Sequence, residues 1–418
     1  MDAEGAERLV LSLELFGMRF GLDRMRRLLT ALGSPQERFP AIHVVGTNGK
    51  SSTVRMAAAI LRRHGLRTGA YLSPHLVSFT ERIRVDDADI AGTDFAAAIA
   101  RAHAAAQKVD RTLEEGDRVT QFELLTAAAY DHFARAAVDA AVVEAGLGGR
   151  YDATSALADS RVQVLTNVGL EHTRWLGPTV AHIAAEKLAV VQPHATLVVG
   201  AGLHPDAWAL AEEVARDREA RLVIAPADPG AALDVVARGT FQRRNFALAA
   251  EAARAFLGHV DAAAVAQAAA STLVPGRFEV VDQRPVTVLD GAHNPGGVAV
   301  LAEALLAAGW HVPARRLVAC VGVLDDKDAA QMLGALLPLC HAVVTTRPQT
   351  PRALPPATLA SLCRQLEFPG PVEIVGEPRA ALARARALAG EDGVALATGS
   401  IYLVSDLLRP EGRARSTL

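Results

Sequence analysis

A stretch near the start of the sequence combines glycine, lysine and serine at the spacing of a phosphate-binding loop. It follows an apolar run at 41–45 and consists of Gly46, Thr47, Asn48, Gly49, Lys50, Ser51 and Ser52. The glycines allow a tight turn whose backbone N–H groups point at a polyphosphate. A helix predicted over 53–63 offers its positive end to the same anion, with Lys50 reaching phosphates and Ser51 ligating magnesium.

The match to a nucleotide-binding loop is to a shortened form. The usual pattern has an earlier glycine at the position of Val44, which leaves G-x-x-G-K-S in this chain. The alternative is a glycine-rich turn between a strand and a helix that carries an incidental lysine. Strand, loop and helix agree with the motif, so the sequence favours nucleotide binding.

Three further polar residues stand at the ends of predicted strands. Glu144 ends the run 140–144, His172 follows a strand predicted over 162–167, and Ser73 follows one predicted over 68–72. Ligands of open α/β sheets bind beyond the carboxyl ends of strands, and oxygen donors suit magnesium, although imidazole is an unusual partner for it. Each residue taken singly also fits a hydrogen-bonded structural role.

Composition and length limit the classes of protein. A chain of 418 residues favours two domains, and a net charge of −3 without a basic run gives no sign of nucleic-acid binding. The three cysteines have no metal or disulfide spacing. The acidic start and the lack of a long apolar stretch predict a cytoplasmic protein without a signal peptide or membrane span.

The order of predicted elements indicates an α/β fold. Residues 7–32 are predicted to be helical, and 79–85 to be a strand or an ordered active-site loop. Strands alternate with helices before and after a turn at 274–277, which predicts parallel sheets covered on both faces. We expect a nucleotide-binding domain over 1–275 and a smaller doubly wound domain over 276–418.

Nine segments together resemble the folylpolyglutamate synthase/dihydrofolate synthase family, ATP-dependent ligases related to the Mur peptidoglycan ligases. The resemblance covers nearly the whole chain and implies a P-loop NTPase-like parallel-sheet N-terminal domain with a Rossmann-like C-terminal domain. The segments are HVVGTNGKSS (43–52), YLSPHLVSFTERIRV (71–85), VVEAGLGGRYDATS (142–155), LTNVGLEHTRWLG (165–177), AAEKLAVV (184–191), FQRRNFALA (241–249), PGRFEVV (275–281), LDGAHNP (289–295) and TGSIYLVSDLL (398–408).

The resemblance also implies roles for matching residues. ATP would be held by the 46–52 loop together with Asn245, Arg277 and Asp290. Two magnesium ions would be held by Ser51, Ser73, Glu144 and His172. Substrates would be bound by Pro74, Arg82, Thr120, Phe122, Asp152, Ala153 and His293. Of these, Arg82, Thr120 and Phe122 match residues that grip the pterin and its aminobenzoate, and His293 matches a residue of the second domain that contributes to nucleotide and glutamate binding. Catalytic roles would fall on Lys50, Lys187, Asp290 and His293.

Lys187 matches a lysine that family members carry carbamylated near the metal. A carbamate turns a cation into a carboxylate-like anion, which suits a site beside magnesium. The alternative is a helical salt bridge, and the sequence leaves both open.

The chain departs from the family pattern at four positions. Ser155 replaces an asparagine, Leu188 an alanine, Phe241 a histidine and Asp325 a frequent histidine. None lies in the phosphate loop or among the metal residues, so the implied activity stands.

The implied reaction is ATP-dependent addition of L-glutamate to dihydropteroate, to reduced folates or to both, through an acyl phosphate. One rival is a Mur-type amino-acid ligase, which the short segment ahead of the phosphate loop disfavours. Another is a nucleotide-driven switch without ligation, which gives no reason for Asp-Gly-Ala-His-Asn-Pro at 290–295. Only small-molecule partners and a monomer are expected.

Overall fold

The computed structural model describes residues 1–14, 21–310 and 315–410 of the chain. The described residues form two compact α/β units. Those of 1–236 and 243–272 form the first unit, and those of 237–242 and from 273 onward form the second. No helix within the described ranges is long and apolar enough to cross a bilayer.

The first unit is built on a sheet whose described strands run in the order β4-β3-β2-β5-β1-β6-β7-β8. The strands are β1 (Ala41–Val45), β2 (Thr68–Tyr71), β3 (Ile83–Val85), β4 (Ala88–Asp89), β5 (Ala140–Glu144), β6 (Ser160–Leu165), β7 (Thr196–Val199) and β8 (Arg221–Ile224). From β2 to β8 along the sheet, neighbouring strands are parallel, as predicted. Strands β3 and β4 add an antiparallel edge.

Helices cover both faces of this sheet. They are α1 (Ala3–Leu11), α2 (Asp23–Ala31), α3 (Lys50–Arg63), α4 (Gly92–Asp110), α5 (Gln121–Arg135), α6 (Thr173–Leu176), α7 (Val180–Leu188), α8 (Pro205–Asp217), α9 (Thr240–Leu257) and α10 (Ala262–Ser271). One apolar cluster includes Phe95 and Tyr130 of α4 and α5, and another includes Ile183 and Ala211 of α7 and α8. Because helices cover both faces of the sheet, every residue of β1 is buried, and all of them except His43 are apolar.

Two local predictions need correction. Helix α1 ends at Leu11, where the Ser12 hydroxyl donates to the Leu9 carbonyl, and α2 begins only at Asp23. The helix predicted over 7–32 is therefore wrong at 12–14 and at 21–22; residues 15–20 lie outside the described part. The segment 79–85 is a 3₁₀ turn, Phe79–Arg82, followed by β3. It therefore combines the two predicted alternatives.

The second unit contains a smaller sheet in the strand order β13-β12-β11-β14-β10-β9. Its described elements are β9 (Glu279–Gln283), β10 (Val286–Leu289), α11 (Pro295–Ala307), β11 (Leu317–Val321), α12 (Ala329–Leu336), β12 (Ala342–Thr345), α13 (Pro356–Gln365), β13 (Val372–Ile374), α14 (Pro378–Ala389), β14 (Val394–Thr398) and α15 (Ile401–Leu408). The sheet is parallel except for β9, an antiparallel edge strand that the alternation of strands and helices did not predict.

Candidate active site

The predicted phosphate loop joins β1 to α3 and depends on glycine at both ends. Gly46 has a φ of 149° and Gly49, the residue before α3, has a φ of 85°. A Cβ on Gly46 would lie 1.8 Å from Thr166 Oγ1, and one on Gly49 would lie 2.5 Å from Asn245 Oδ1. Because any side chain would collide there, and because both φ values are positive, this course of the loop requires glycine at both positions. Asn245, predicted to bind the nucleotide, therefore borders this loop.

The same loop is tied to the end of β6. Thr166 Oγ1 donates to the Asn48 carbonyl over 2.6 Å, and the Asn48 amide donates to Asn167 Oδ1 over 2.9 Å. The Thr47 amide donates to the Asn167 carbonyl over 3.0 Å. Sequence reasoning did not select Thr166 or Asn167, although both stand at the strand end where ligands of such sheets bind.

Two lysine ammonium groups meet at one carbonyl oxygen of this loop. Lys50 Nζ donates to the carbonyls of Gly46 and Thr47 over 3.0 and 3.1 Å, and Lys187 Nζ donates to the Gly46 carbonyl over 2.8 Å. Burial, reinforced by the charge of Lys50, lowers the pKa of Lys187 to about 7. The loop therefore carries concentrated positive charge, and the Lys187 amine is partly neutral near pH 7.

Two of the predicted metal residues donate to the carboxylate of a third. Glu144 is buried at the end of β5; its Oε1 accepts from Ser51 Oγ over 2.9 Å and its Oε2 accepts from the Ser73 amide over 3.1 Å. His172 adopts a φ of 48°, and its Nε2 lies 3.2 Å from Glu171 Oε1. The structure thus links Ser51, Ser73 and Glu144 directly and shows His172 against Glu171.

The chemistry of these donors fits magnesium. In the ranges that the structure describes, no cluster of three His, Cys, Asp or Glu residues could hold a metal ion. An ion at Glu144 would therefore have one carboxylate among its ligands, completed by neutral side-chain donors, water and phosphate. Magnesium is commonly bound in this way, through one or two carboxylates plus substrate phosphates.

The segment that follows β2 carries Pro74 and Arg82, both predicted to bind substrate. Pro74 follows Ser73 through a cis peptide bond. Arg82 is buried; its Nε donates to His75 Nδ1 over 2.9 Å, and its guanidinium carbon lies 5.2 Å from the centre of the Phe79 ring. Arg82 Nη1 is also 3.5 Å from Ser73 Oγ. These contacts order residues 73–82 beside Glu144, and this segment is called the wall below.

Glu81 organises this wall, and sequence reasoning did not select it. Its carboxylate accepts the backbone N–H groups of Leu76, Val77 and Ser78 over 2.8, 2.6 and 2.7 Å. The sequence signal is the Ser-x-x-Glu capping box at 78–81. This signature could have identified Glu81 before the structure.

Thr120 and Phe122, predicted to grip the pterin, begin α5. The Thr120 hydroxyl caps the helix and exchanges hydrogen bonds with Glu123, whose carboxylate also accepts Arg24 Nε over 3.1 Å. The Phe122 ring covers Gly146, where a Cβ would lie 2.6 Å from Cζ. Phe122 thus lines the loop after Glu144, while the Thr-x-x-Glu signature at 120–123 accounts for Thr120 as a helix cap.

Asp152 and Ala153 lie in the loop that follows β5. Asp152 is buried, and its Oδ2 accepts the Leu147 amide over 2.8 Å while its Oδ1 accepts the Thr154 amide over 3.0 Å. Burial raises the pKa of the Asp152 carboxyl, and the hydrogen bonds oppose this shift. Ala153 is part of the apolar core. The carboxylate of Asp152 is therefore directed at backbone amides of its own loop.

The second unit gathers Arg277, Asp290 and His293 at the end of β10. Asp290 is buried; its two carboxylate oxygens accept the amides of Phe278 and Ala292, each over 2.8 Å. Burial raises the pKa of Asp290, and the positive charge of Arg277 opposes the rise. His293 Nδ1 lies 2.9 Å from the Gly291 carbonyl. The three predicted residues form one local cluster in this unit.

Comparison with known sequences decides the family. Residues 276–401 match the family model described as Mur ligase, glutamate ligase domain. The dihydrofolate synthase/folylpolyglutamate synthase of Mycobacterium tuberculosis is 34% identical over 376 residues, which cover 81% of this chain and 76% of that protein. The chain belongs to the folylpolyglutamate synthase/dihydrofolate synthase family. The family predicted from the sequence is confirmed, and so is its link to the Mur ligases.

Other members of the family are longer. A probable bifunctional folylpolyglutamate synthase/dihydropteroate synthase of Haloferax volcanii is 37% identical over 434 residues, covering 97% of this chain and 50% of that protein. The corresponding protein of Halobacterium salinarum is covered to 51%. The chain therefore spans about half the length of these two relatives.

Solved structures of folylpolyglutamate synthases confirm the predicted α/β fold. The M. tuberculosis enzyme complexed with ADP superposes with a TM-score of 0.89 at 30% identity, over 97% of each chain. E. coli FolC in complex with DHPP and ADP gives 0.84 at 28% identity, over 98% of this chain and 97% of that one. The bifunctional enzyme of Yersinia pestis, complexed with AMPPNP and a Mn ion, gives 0.85 at 27% identity, with the same coverage.

Proposed function

We propose that this protein is an ATP-dependent ligase that adds L-glutamate to dihydropteroate, to reduced folates or to both. The observation that carries the proposal is the convergence of Ser51 Oγ and the Ser73 amide on the Glu144 carboxylate, beside a glycine-fixed loop that bears Lys50. Relatives in complex with ADP, and with DHPP and ADP, support a nucleotide and a pterin substrate.

The nucleotide and metal sites of the proposal use the residues gathered at the carboxyl ends of strands. The 46–52 loop and Asn245 of the first unit would hold ATP. Arg277 and Asp290, which lie in the second unit, are proposed as nucleotide residues from the family resemblance. Ser51 would ligate one magnesium ion, and Ser73, Glu144 and His172 the other. Bound magnesium would neutralise phosphate charge and polarise the phosphoryl group for transfer.

The proposed reaction makes an unreactive carboxylate electrophilic. The substrate carboxylate attacks the γ-phosphorus of ATP; an O–P bond forms, the bond to ADP breaks, and an acyl phosphate results. The glutamate amine then attacks the acyl carbon, phosphate leaves, the amine loses a proton, and an amide remains. The Lys50 ammonium would stabilise negative charge developing on the transferred group.

A carbamylated form of Lys187 is part of this proposal. Its amine is buried and held against Gly46, and its pKa of about 7 leaves a substantial neutral fraction near pH 7. A neutral amine can attack CO₂, forming an N–C bond and releasing one proton to give a carbamate anion. Carbon-13 NMR of protein equilibrated with labelled bicarbonate tests this, and a carbamate signal that survives in Lys187→Met would contradict it.

The acceptor site of the proposal lies along the wall beside Glu144. Pro74, Arg82, Phe122, Asp152 and Ala153 line or brace it, with Thr120 acting through the start of α5. Asp290 and His293 would contribute to glutamate addition, so residues 1–275 would bind ATP and folate and 276–418 would serve ligation. A cytoplasmic monomer is also part of the proposal, and light scattering on the purified chain tests the monomer.

A paired assay tests the reaction. Dihydropteroate or tetrahydrofolate is incubated separately with ATP, magnesium, glutamate and the protein, and products are weighed by mass spectrometry. We expect a product longer by one glutamate, with ADP release that requires both acceptor and glutamate. ADP release independent of both would instead indicate a nucleotide switch and overturn the proposal.

A further inference from the structure

A buried hydrogen-bond chain begins in the strand that leads into the phosphate loop. His43 lies in β1, is 1% exposed, and has its Nε2 2.8 Å from Thr154 Oγ1. Thr154 is fully buried, and its hydroxyl is in turn hydrogen-bonded to Asp152 Oδ1. The chain therefore links β1 to the loop that follows Glu144.

The direction of each hydrogen bond follows from the available protons. The Asp152 carboxylate already accepts the amides of Leu147 and Thr154, so it serves as an acceptor and the Thr154 hydroxyl donates to it. A hydroxyl has one hydrogen, so His43 Nε2 must be the donor to Thr154 Oγ1. Burial lowers the pKa of His43 to about 4, which keeps the ring neutral as this tautomer requires.

The far end of the chain holds the backbone against α7. Asp152 fixes Leu147, and two residues further Gly149 packs so closely on α7 that a Cβ would lie 2.8 Å from the Glu186 carbonyl oxygen and 2.9 Å from that of Lys187. The Arg150 amide donates to the Glu186 carbonyl over 3.0 Å. The position of the α7 backbone at Lys187 thus depends on the loop that Asp152 orders.

This series of contacts then returns to the phosphate loop next to β1. Lys187 Nζ donates to the carbonyl of Gly46, three residues after His43 in the same strand and loop. His43, Thr154, Asp152, the 147–150 backbone and Lys187 therefore form a closed circuit around one side of the phosphate loop. Rigid placement of charged groups is what phosphoryl transfer demands, and a misplacement of about 1 Å can reduce the rate about 100-fold.

We propose that His43 and Thr154 are positioning residues that, through Asp152 and the 147–150 backbone, set the place of the Lys187 amine at the phosphate loop. The inference rests on the proposed ligase function. Neither residue would contact substrate. Their effect would fall on kcat, because the nucleotide's own contacts along 46–52 remain intact.

Matched variants separate positioning from stability. Thr154→Val keeps the shape but removes the hydroxyl, whereas Thr154→Ser keeps it. His43→Leu removes the donor, whereas His43→Gln retains an N–H near the place of Nε2. The control is Tyr130→Phe. It deletes the 2.9 Å hydrogen bond from the Tyr130 hydroxyl to the Thr154 carbonyl but keeps the hydrogen bonds that join His43, Thr154 and Asp152.

In the glutamate-ligation assay, kcat per folded molecule is expected to fall about 10–100-fold in Thr154→Val and His43→Leu, with the KM for ATP changed less than about twofold. Thr154→Ser and His43→Gln should restore most of kcat, and Tyr130→Phe should lower only the unfolding midpoint. Equal kcat values in Thr154→Val and Tyr130→Phe would overturn the inference. A wild type without ligation would instead count against the proposed function.

Two measurements test the circuit without turnover. Nitrogen-15 NMR of the wild type should show His43 as the neutral Nε2–H tautomer, its signals assigned by their loss in His43→Gln. A crystal structure of Thr154→Val should show Lys187 Nζ displaced from the Gly46 carbonyl. An Nδ1–H tautomer, or an unmoved Lys187 in Thr154→Val, would refute the assignment.

Discussion

The carboxyl edges of the two sheets bring polar groups together in different ways. At the edge of the first unit, hydrogen bonds join residues distant in sequence: Ser51 to Glu144 across 93 positions, Ser73 to Glu144 across 71, and Gly46 to Lys187 across 141. At the edge of the second unit, Asp290 accepts amides only 12 and 2 positions away. The first arrangement requires the folded sheet, whereas the second is largely local.

The difference also concerns what each edge can do. Lys50 holds the Gly46 and Thr47 carbonyl oxygens with an ammonium group at the tip of a long side chain, so this group can exchange to phosphate by bond rotation. Both carboxylate oxygens of Asp290 accept backbone amides, so this carboxylate is held in a single position. In the proposed reaction, the first edge would therefore suit the transferred phosphoryl group, and Asp290 at the second edge would suit a stationary anchor.

The strongest test of the comparison removes a charge from the first edge. Lys50→Ala should reduce ATP-dependent ligation by about 10²–10³-fold, because one positioned charge on the transferred group is lost, while the fold is retained. Steady-state kinetics and circular dichroism measure the two effects. The matched control is Lys108→Ala, at an exposed position of α4. Near-normal turnover in Lys50→Ala would show that the phosphate loop is misassigned.

The next largest effect should come from the carboxylate on which the first edge converges. Glu144→Gln keeps an acceptor for Ser51 but loses the negative charge, so the magnesium concentration for half-maximal activity should rise about 10–100-fold. Magnesium titrations of the ligation rate measure it, with exposed Glu115→Gln as the control. An unchanged magnesium requirement would exclude Glu144 as a ligand.

Lys187→Met tests how much unfolding free energy is lost by burying a protonated lysine beside Lys50 at the first edge. The pKa of about 7 lies below the ordinary 10.5, so at Lys187 the unfolded chain binds more protons between these values. The contribution of Lys187 to stability should therefore rise with pH from 7 to 10.5, and the advantage of the variant over the wild type should shrink over that range. At pH 6 the variant should be more stable by about 2 kcal/mol, after loss of the hydrogen bond to Gly46. Urea unfolding in bicarbonate-free buffer from pH 6 to 9 measures both curves, and a difference between wild type and variant that does not change with pH would contradict the prediction.

At the second edge, Asp290→Asn should cost about 1–3 kcal/mol of unfolding free energy. An amide side chain accepts one of the two backbone N–H groups and turns a donor toward the other, which leaves a buried donor unpaired. Denaturant unfolding measures the loss, with Asp325→Asn as the control. A neutral result would mean that the cluster relaxes more easily than its local geometry indicates.

The smallest effect should be at the helix that follows this cluster. Asn294 caps α11 by accepting the Gly297 amide over 2.7 Å, so Asn294→Ala should cost about 1 kcal/mol. Asn294→Ser should retain most of that stability because serine caps as well. Thermal unfolding of the three proteins measures this, and a loss as large as that of Asp290→Asn would show that the second edge is more than locally held.

Local chemistry let the sequence determine the main elements of the fold. The glycine turn between β1 and α3 was predictable because the strand, the two glycines and the helix are adjacent in the chain. Asp290 and His293 are close in the sequence, so their proximity at the end of β10 could also be predicted, whereas their roles remain predictions. The antiparallel strand β9 was not predicted, because the residues Glu279–Gln283 lack a regular alternation of apolar and polar side chains.

Tertiary structure alone decided which side chains meet. The contacts of Glu144 with Ser51 and Ser73, and of Lys187 with Gly46, join positions that no periodicity relates. Register between parallel strands brings them to one edge, since β5 lies beside both β1 and β2. Burial then shifts the pKa values of Lys187 and His43, and desolvation exists only after the chain has packed.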